Sequence, residues 1–126
     1  MRGTTISAAE WAVMRVLWKA GRAMTSRAII EALAGESEWQ PKTIRTLVNR
    51  LTDKGVLARA EVDGVLHFSP AVAESECLRE ESRAFLGRFF DGGLTPMLAH
   101  FLAHEDVSQA ELDALRRLLD AKDGEV

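Results

Sequence analysis

Trp39-Gln-Pro-Lys-Thr-Ile-Arg-Thr-Leu-Val-Asn-Arg-Leu-Thr-Asp-Lys-Gly55 decides the fold, because one helix within it serves two surfaces. Ile44, Leu47, Val48 and Leu51 recur at the 3.6-residue period of a helix docked on a core. Between them stand Lys42, Thr43, Arg45, Thr46, Asn49 and Arg50, all able to donate hydrogen bonds to phosphates or base edges. Pro41 suits the first helical turn, where a missing N–H costs nothing, and Gly55 suits the C-terminal cap. The spacing predicts a helix over 41–54 with an apolar back and a basic, donor-rich front, as a DNA recognition helix requires.

Upstream, Ile6-Ser-Ala-Ala-Glu-Trp11 reads as a helix start. Ser7 and Glu10 have the spacing of a capping box, and Ile6 can staple onto Trp11. This helix runs to about Ala20 with Trp11, Met14, Leu17 and Trp18 on its apolar side, and stops at Gly21. A short extended piece at Ala23-Met24 leads to Thr25, the N-cap of a second helix over Ser26–Leu33 that Gly35 closes. After Gly55 the hydrophobic period falls to 2. Residues 56–62 and 65–69 flank Asp63-Gly64, a pair suited to a type I′ hairpin turn, and Pro70 ends the second strand. Three helices followed by a hairpin within 70 residues outline a winged helix-turn-helix. The fold class expected is mostly α with a small β-hairpin: a winged-helix domain over 1–70, then a helical dimerisation domain over 71–126.

That second part has three amphipathic segments. Residues 72–90 carry Leu78, Phe85, Leu86, Phe89 and Phe90. Thr95-Pro96, read as N-cap and N1, opens a helix with Met97, Leu98, Phe101 and Leu102. Val107-Ser-Gln-Ala-Glu-Leu112 repeats the capping-box pattern before the stripe Leu112, Leu115, Leu118 and Leu119, and fraying is expected from Asp123 to Val126. About 50 residues of this kind cannot bury all their apolar faces alone, so a homodimer is expected, each protomer completing the other's core. Phe85, Phe89, Met97, Leu98, Phe101, Leu112, Leu115 and Leu119 are its candidate contacts.

Charge divides the chain at the same place. The net charge of the 126 residues is −3, which taken whole argues mildly against nucleic acid. Residues 1–70 hold ten Lys/Arg and seven Asp/Glu, net +3, whereas residues 71–126 hold six and twelve, net −6. Within 39–59 the cations Lys42, Arg45, Arg50, Lys54 and Arg59 face a single acid, Asp53. The asymmetry puts an interaction surface in the first part. Arg50 has two possible uses, a phosphate or guanine edge, or an ion pair with Asp53 or Glu10. Lys42 and Arg45 suit phosphates or guanine edges. Thr43 and Thr46 suit a phosphate or a thymine methyl, and Asn49 suits adenine.

Other features exclude function classes. A lone cysteine, Cys77, rules out an internal disulfide framework and Cys-based zinc sites; packing or simple exposure is its expected role, ahead of an intersubunit redox switch. Met1-Arg-Gly-Thr-Thr lacks the apolar core of a secretory signal, and no apolar run reaches the roughly 20 residues that span a bilayer. A cytoplasmic protein without membrane insertion is expected. No phosphate loop, Ser/His/Asp arrangement or His-Glu-x-x-His is present, so no enzyme, cofactor or metal is expected. His100 and His104 have i,i+4 spacing but read as solvated residues at a helix end, and His67 reads as a wing residue. Trp11, Trp18 and Trp39 read as core or capping residues in preference to a ligand cage.

Three stretches carry a family pattern: Ile6-Ser-x-Ala-Glu-Trp-x-Val-Met-x-x-Leu-Trp18, Trp39-x-Pro-Lys-Thr-Ile-x-Thr-Leu-x-x-Arg-Leu-x-x-Lys-Gly-x-Leu57, and Phe68-Ser-Pro70. Together with a Phe90-Asp-Gly92 turn and the Ser108-to-Leu112 helix start, they resemble the penicillinase-repressor (BlaI/MecI/CopY) family over nearly the whole chain. The resemblance implies a dimeric winged-helix repressor bound to double-stranded, two-fold symmetric operator DNA. It also implies a membrane sensor metalloprotease as partner, and induction by cleavage in the C-terminal helices. The family's cut falls at an Asn-Phe bond; the matching pair here is His100-Phe101, a departure at the first residue. The C-terminal cysteines of the copper-responsive branch have no counterpart, which argues against copper sensing. At the hairpin turn, Asp63-Gly64 stands where members often have Gly-Arg, so the tip lacks a cation for the minor groove and Arg59 is the wing's candidate contact. A winged-helix module that binds protein without DNA is the alternative reading.

Overall fold

The computed structural model describes residues 6–124. Met1-Arg-Gly-Thr-Thr, Glu125 and Val126 lie outside them, and with them the signal-peptide reading and the end of the predicted fray. Helices α1 (Ala8–Ala20), α2 (Ser26–Ala34) and α3 (Pro41–Asp53) precede a hairpin of β2 (Leu57–Val62) and β3 (Val65–Pro70). Helices α4 (Glu74–Phe89), α5 (Leu94–His104) and α6 (Gln109–Asp123) follow. Two compact units result, one reaching to Ser82 and one beginning at Arg83.

Local chemistry sets the limits of the helices. At α1 both bonds of the capping box form: the Ser7 amide donates to Glu10 Oε1 at 2.8 Å, and the Glu10 amide donates to Ser7 Oγ at 3.1 Å. Gly21 ends α1 in the left-handed conformation (φ 66°), its N–H bonding the Leu17 carbonyl at 3.1 Å. Helix α3 starts at Pro41 and ends with Lys54 as its last capping residue. Gly55, at φ 80°, then turns the chain so that its N–H reaches the Thr52 carbonyl and that of Val56 reaches the Leu51 carbonyl, at 3.0 and 2.9 Å. This Schellman closure accompanies Leu51 and Val56, both fully buried. A side chain at Gly55 would meet no atom, so the backbone angle alone explains the glycine.

The short extended piece expected at Ala23-Met24 is a third strand of the hairpin's sheet, shifted by one residue. Met24 and Thr25 form β1, paired antiparallel with β3 at Met24↔Phe68 and Thr25↔His67, giving the order β1-β3-β2. Two residues show no period, so only their partner 40-odd positions away reveals them as a strand. Asp63 and Gly64 both take positive φ, 52° and 79°, as the type I′ turn demands.

The core of the first unit is continuous. Val13, Met14 and Leu17 of α1 and Ile29 and Leu33 of α2 meet Ile44, Leu47, Val48 and Leu51 of α3. Val56, Phe68, Val72 and Cys77 complete it, so Cys77 is a packed residue. Trp11, Trp18 and Trp39 are half-buried against this core; Trp11 meets Trp18 edge-to-face at 5.4 Å, and Trp18 Nε1 donates to the Val72 carbonyl at 3.1 Å. They are structural residues, as their spacing suggests.

In the second unit, α5 starts at Leu94 with Gly93 as N-cap, two residues before the predicted Thr95 cap. Pro96 still falls in the first turn, where no intrahelical N–H is needed. A Cβ at Gly93 would lie 2.8 Å from Pro96 Cδ, so the proline ring packs where only glycine fits. Ser108 caps α6 by accepting from the Glu111 amide at 3.1 Å, one of the two bonds of the predicted box. Neither α5 nor α6 buries a residue.

Candidate nucleic-acid interface

Helix α3 separates its two faces as completely as its sequence suggests. Ile44, Leu47, Val48 and Leu51 are buried, and Lys42, Thr43, Arg45, Thr46, Asn49 and Arg50 are all exposed. Burying the four apolar side chains, each worth roughly 1.5–3 kcal/mol, fixes which face looks outward. Six donor-bearing side chains therefore share one solvent-facing surface. Thr46 spends its hydroxyl hydrogen within the helix, donating to the Lys42 carbonyl at 3.0 Å. Its lone pairs and methyl group remain for a ligand, which suits a thymine methyl or a water-bridged phosphate.

The start of α3 differs from those of α1 and α6. Glu10 and Glu111 place an acid in the first turns of α1 and α6, neutralising the positive end of the helix dipole. The first turn of α3 has no acid, and Gln40 makes no side-chain cap bond. Lys42 adds a cation there instead. A helix N-terminus built this way favours an anion such as a phosphate.

Arg59 is exposed on β2, opposite Phe68 of β3, and lies outside the α3 surface patch in sequence and in element. The wing around its tip is apolar and acidic: Val62, Val65 and Leu66 are exposed beside Glu61 and Asp63. His67 holds its ring against the wing backbone, Nδ1 lying 3.1 Å from the Val65 carbonyl.

One cation of the basic region is not at the surface patch. Lys54 Nζ donates to Glu10 Oε1 at 2.7 Å, so the ion pair that the sequence offered to Arg50 belongs to Lys54. Arg50 is exposed, and no ion pair with Asp53 or Glu10 engages it among the described residues. Glu10 is buried, and its Oε2 bonds to no described residue. Burial pushes the Glu10 carboxyl up. The Lys54 ammonium and the Ser7 amide and side chain outweigh that effect, holding it below its ordinary 4.5. Sequence reading offered Glu10 an ion pair but named Arg50 as the partner, because linear order does not tell which cation near the end of α3 reaches a carboxylate on α1.

The candidate dimer residues lie on the second unit's helices. Phe85 and Phe89 on α4 are exposed, their rings 5.1 Å apart. On α5, Met97 and Leu98 are half-buried and Phe101 is exposed; on α6, Leu112 and Leu115 are half-buried and Leu119 is exposed. His100, also exposed on α5, stacks on His104 with ring centres 4.4 Å apart, and His104 Nδ1 lies 2.9 Å from the His100 carbonyl. No described helix is long and apolar enough to cross a membrane.

Comparison with known proteins places this geometry in context. A family model described as penicillinase repressor matches residues 6–121. The methicillin resistance regulatory protein MecI of Staphylococcus aureus strain N315 is 36% identical over 117 residues, covering 93% of this chain and 94% of that protein. The penicillinase repressor of Bacillus licheniformis is 36% identical over 115 residues, covering 91% and 89%. A solution structure of the B. licheniformis BlaI monomeric form in complex with the blaP half-operator matches with a TM-score of 0.52 at 37% identity, over 58% of this chain and 88% of that one.

Proposed function

The chain belongs to the penicillinase-repressor family of DNA-binding transcriptional repressors and is not an enzyme, and from that premise we propose that it acts as a homodimer on a two-fold symmetric operator. Each protomer reads one half-site by laying α3 in the major groove. Lys42 and Arg45 meet phosphates or guanine edges at the acid-free start of the helix. Thr43 and Thr46 take a phosphate or thymine methyls, Asn49 pairs with adenine, and Arg50 follows the groove one turn on. Arg59 supplies the wing's contact to the backbone, while the Asp63 tip stays clear of it. The observation that carries this reading is the exposure of six donor side chains on the face of α3 opposite its buried stripe.

The 1–70 region does the reading and the 71–126 region joins two copies. Support for the second part is the exposed apolar set of Phe85, Phe89, Phe101 and Leu119, which a second copy would cover. Induction follows from cutting the C-terminal helices by a membrane sensor metalloprotease at His100-Phe101. That bond is in the middle of α5, and a protease needs extended backbone, so the helix must open first. Met97, Leu98 and Phe101 of that helix are also proposed dimer contacts, so opening α5 competes with dimerisation. A cut there removes part of the surface that joins the two copies.

The test is binding of a labelled fragment from upstream of the repressor's own gene, across salt. Six to ten phosphate contacts lower affinity roughly 10³- to 10⁵-fold between 50 and 200 mM salt. Lys42→Ala combined with Arg45→Ala is expected to abolish the shift and leave the dimer intact by sedimentation. Absence of any shift at low salt with the wild-type protein sinks the proposal.

A further inference from the structure

Glu10 occupies an environment that a capping box does not require. A box glutamate needs only to reach back to the N-cap amide, which it can do from solvent. Here the carboxylate is buried, with its Oε1 shared between the Ser7 amide at 2.8 Å and Lys54 Nζ at 2.7 Å. Its other oxygen is also buried. Burying a carboxylate is unfavourable unless its partners compensate, so the cluster is held together firmly once formed.

The placement of the two residues suggests what the cluster does. Glu10 is the third residue of α1, and Lys54 is the capping residue at the C-terminal end of α3. The apolar stripe of α3 interdigitates with the core and holds the body of the helix, leaving its C-terminal end to be fixed by what the capping residue meets. A short charge-assisted bond at that end supplies a directional restraint. The other end, near Lys42, is where the helix meets DNA. A small change of angle at Lys54 is carried along the rest of α3 to its base-reading residues.

We infer that Glu10 and Lys54 form a positioning pair that sets the angle of the recognition helix on the operator, and that Lys54 is not itself a DNA contact. This rests on α3 being the reading helix.

The two residues carry opposite charges, which makes the test decisive. Glu10→Gln and Lys54→Met are compared with the wild-type full-length protein for operator and random-sequence DNA, at a temperature where circular dichroism shows all to be folded. Through bulk electrostatics alone, Glu10→Gln would tighten binding and Lys54→Met would weaken it. A positioning role moves both the same way: each lowers operator affinity about tenfold, the equivalent of roughly one base contact. Random-sequence affinity and the salt slope stay as in wild type, because phosphate contacts are kept. The double variant loses no more than the worse single, and Lys54→Arg, which still donates to Oε1, restores operator binding. The inference is overturned if Lys54→Met reduces the salt slope by about one, or if Glu10→Gln binds the operator as well as wild type. Should Lys54→Met fail to fold, Glu10→Gln, isosteric and still able to accept from Ser7, decides alone. Failure of the wild-type protein to bind any DNA would instead remove the reading on which the pair rests.

Discussion

The units that divide at Ser82 use the same material, amphipathic helices with one Ser-capped helix in each, and reach opposite outcomes. In the first, α1, α2 and α3 converge on one another, and Val13, Met14, Leu17, Ile29 and Leu51 lose all contact with solvent. In the second, Phe89, Leu118 and Leu119 remain 60%, 67% and 61% exposed, and α5 and α6 bury nothing. An apolar stripe therefore states that a helix has a face to bury without stating where the covering surface comes from. The first unit supplies its own. The second leaves its apolar stripes exposed, which is the observation behind the proposed dimer.

The largest test of that contrast is to place charge on the open face. Phe89→Asp with Phe101→Asp is expected to convert the protein from dimer to monomer in sedimentation, leaving the first unit folded. Operator affinity then falls on the order of 10²-fold or more, because the second half-site is no longer held at high effective concentration. A dimer that survives both changes would mean the partner surface lies elsewhere.

A smaller effect sharpens the same comparison. Leu51→Ala in the closed core removes a fully buried side chain and should destabilise the first unit by about 2–5 kcal/mol, read as a lower melting temperature independent of protein concentration. Leu119→Ala in the open face should leave that transition unmoved. Its cost appears only as weaker dimerisation, and hence as a melting temperature that depends on concentration. Equal losses at both sites would erase the distinction between the units.

The smallest effect concerns Glu10, the buried acid among the described residues. Because the folded state holds the Glu10 carboxyl below its ordinary 4.5, the unfolded chain takes up its proton first as pH falls. Its contribution to stability is thus complete above about pH 4.5 and is lost as pH falls through the lowered folded value. Thermal melts between pH 6 and 3 should show Glu10→Gln less stable than wild type at pH 6, with the gap closing in acid. A gap that stays constant would mean that the carboxylate's charge contributes nothing.

Much of the fold was written locally. The stripe and donors of α3 decide its two faces because a helix's period is set by its own backbone geometry. The Ser7–Glu10 box, the Gly55 turn and the Asp63-Gly64 turn are likewise local, each fixed by bonds or φ angles within a few residues. The register of the α5 cap was less legible, since Thr95-Pro96 and Gly93 are both competent starts and packing of the Pro96 ring against Gly93 chose between them.

What the sequence by itself determined is which elements form and which side chains face outward on α3, because periodicity and capping act over one or two helical turns. What only the tertiary structure decided is which distant residues meet. Met24-Thr25 becomes a strand solely by pairing with His67-Phe68. Lys54, one cation among five in its stretch, leaves the basic surface because folding brings it to a buried carboxylate 44 residues away. Coulomb attraction and strand pairing depend on distance in space, and nothing in a linear order of residues fixes that distance until the core has closed.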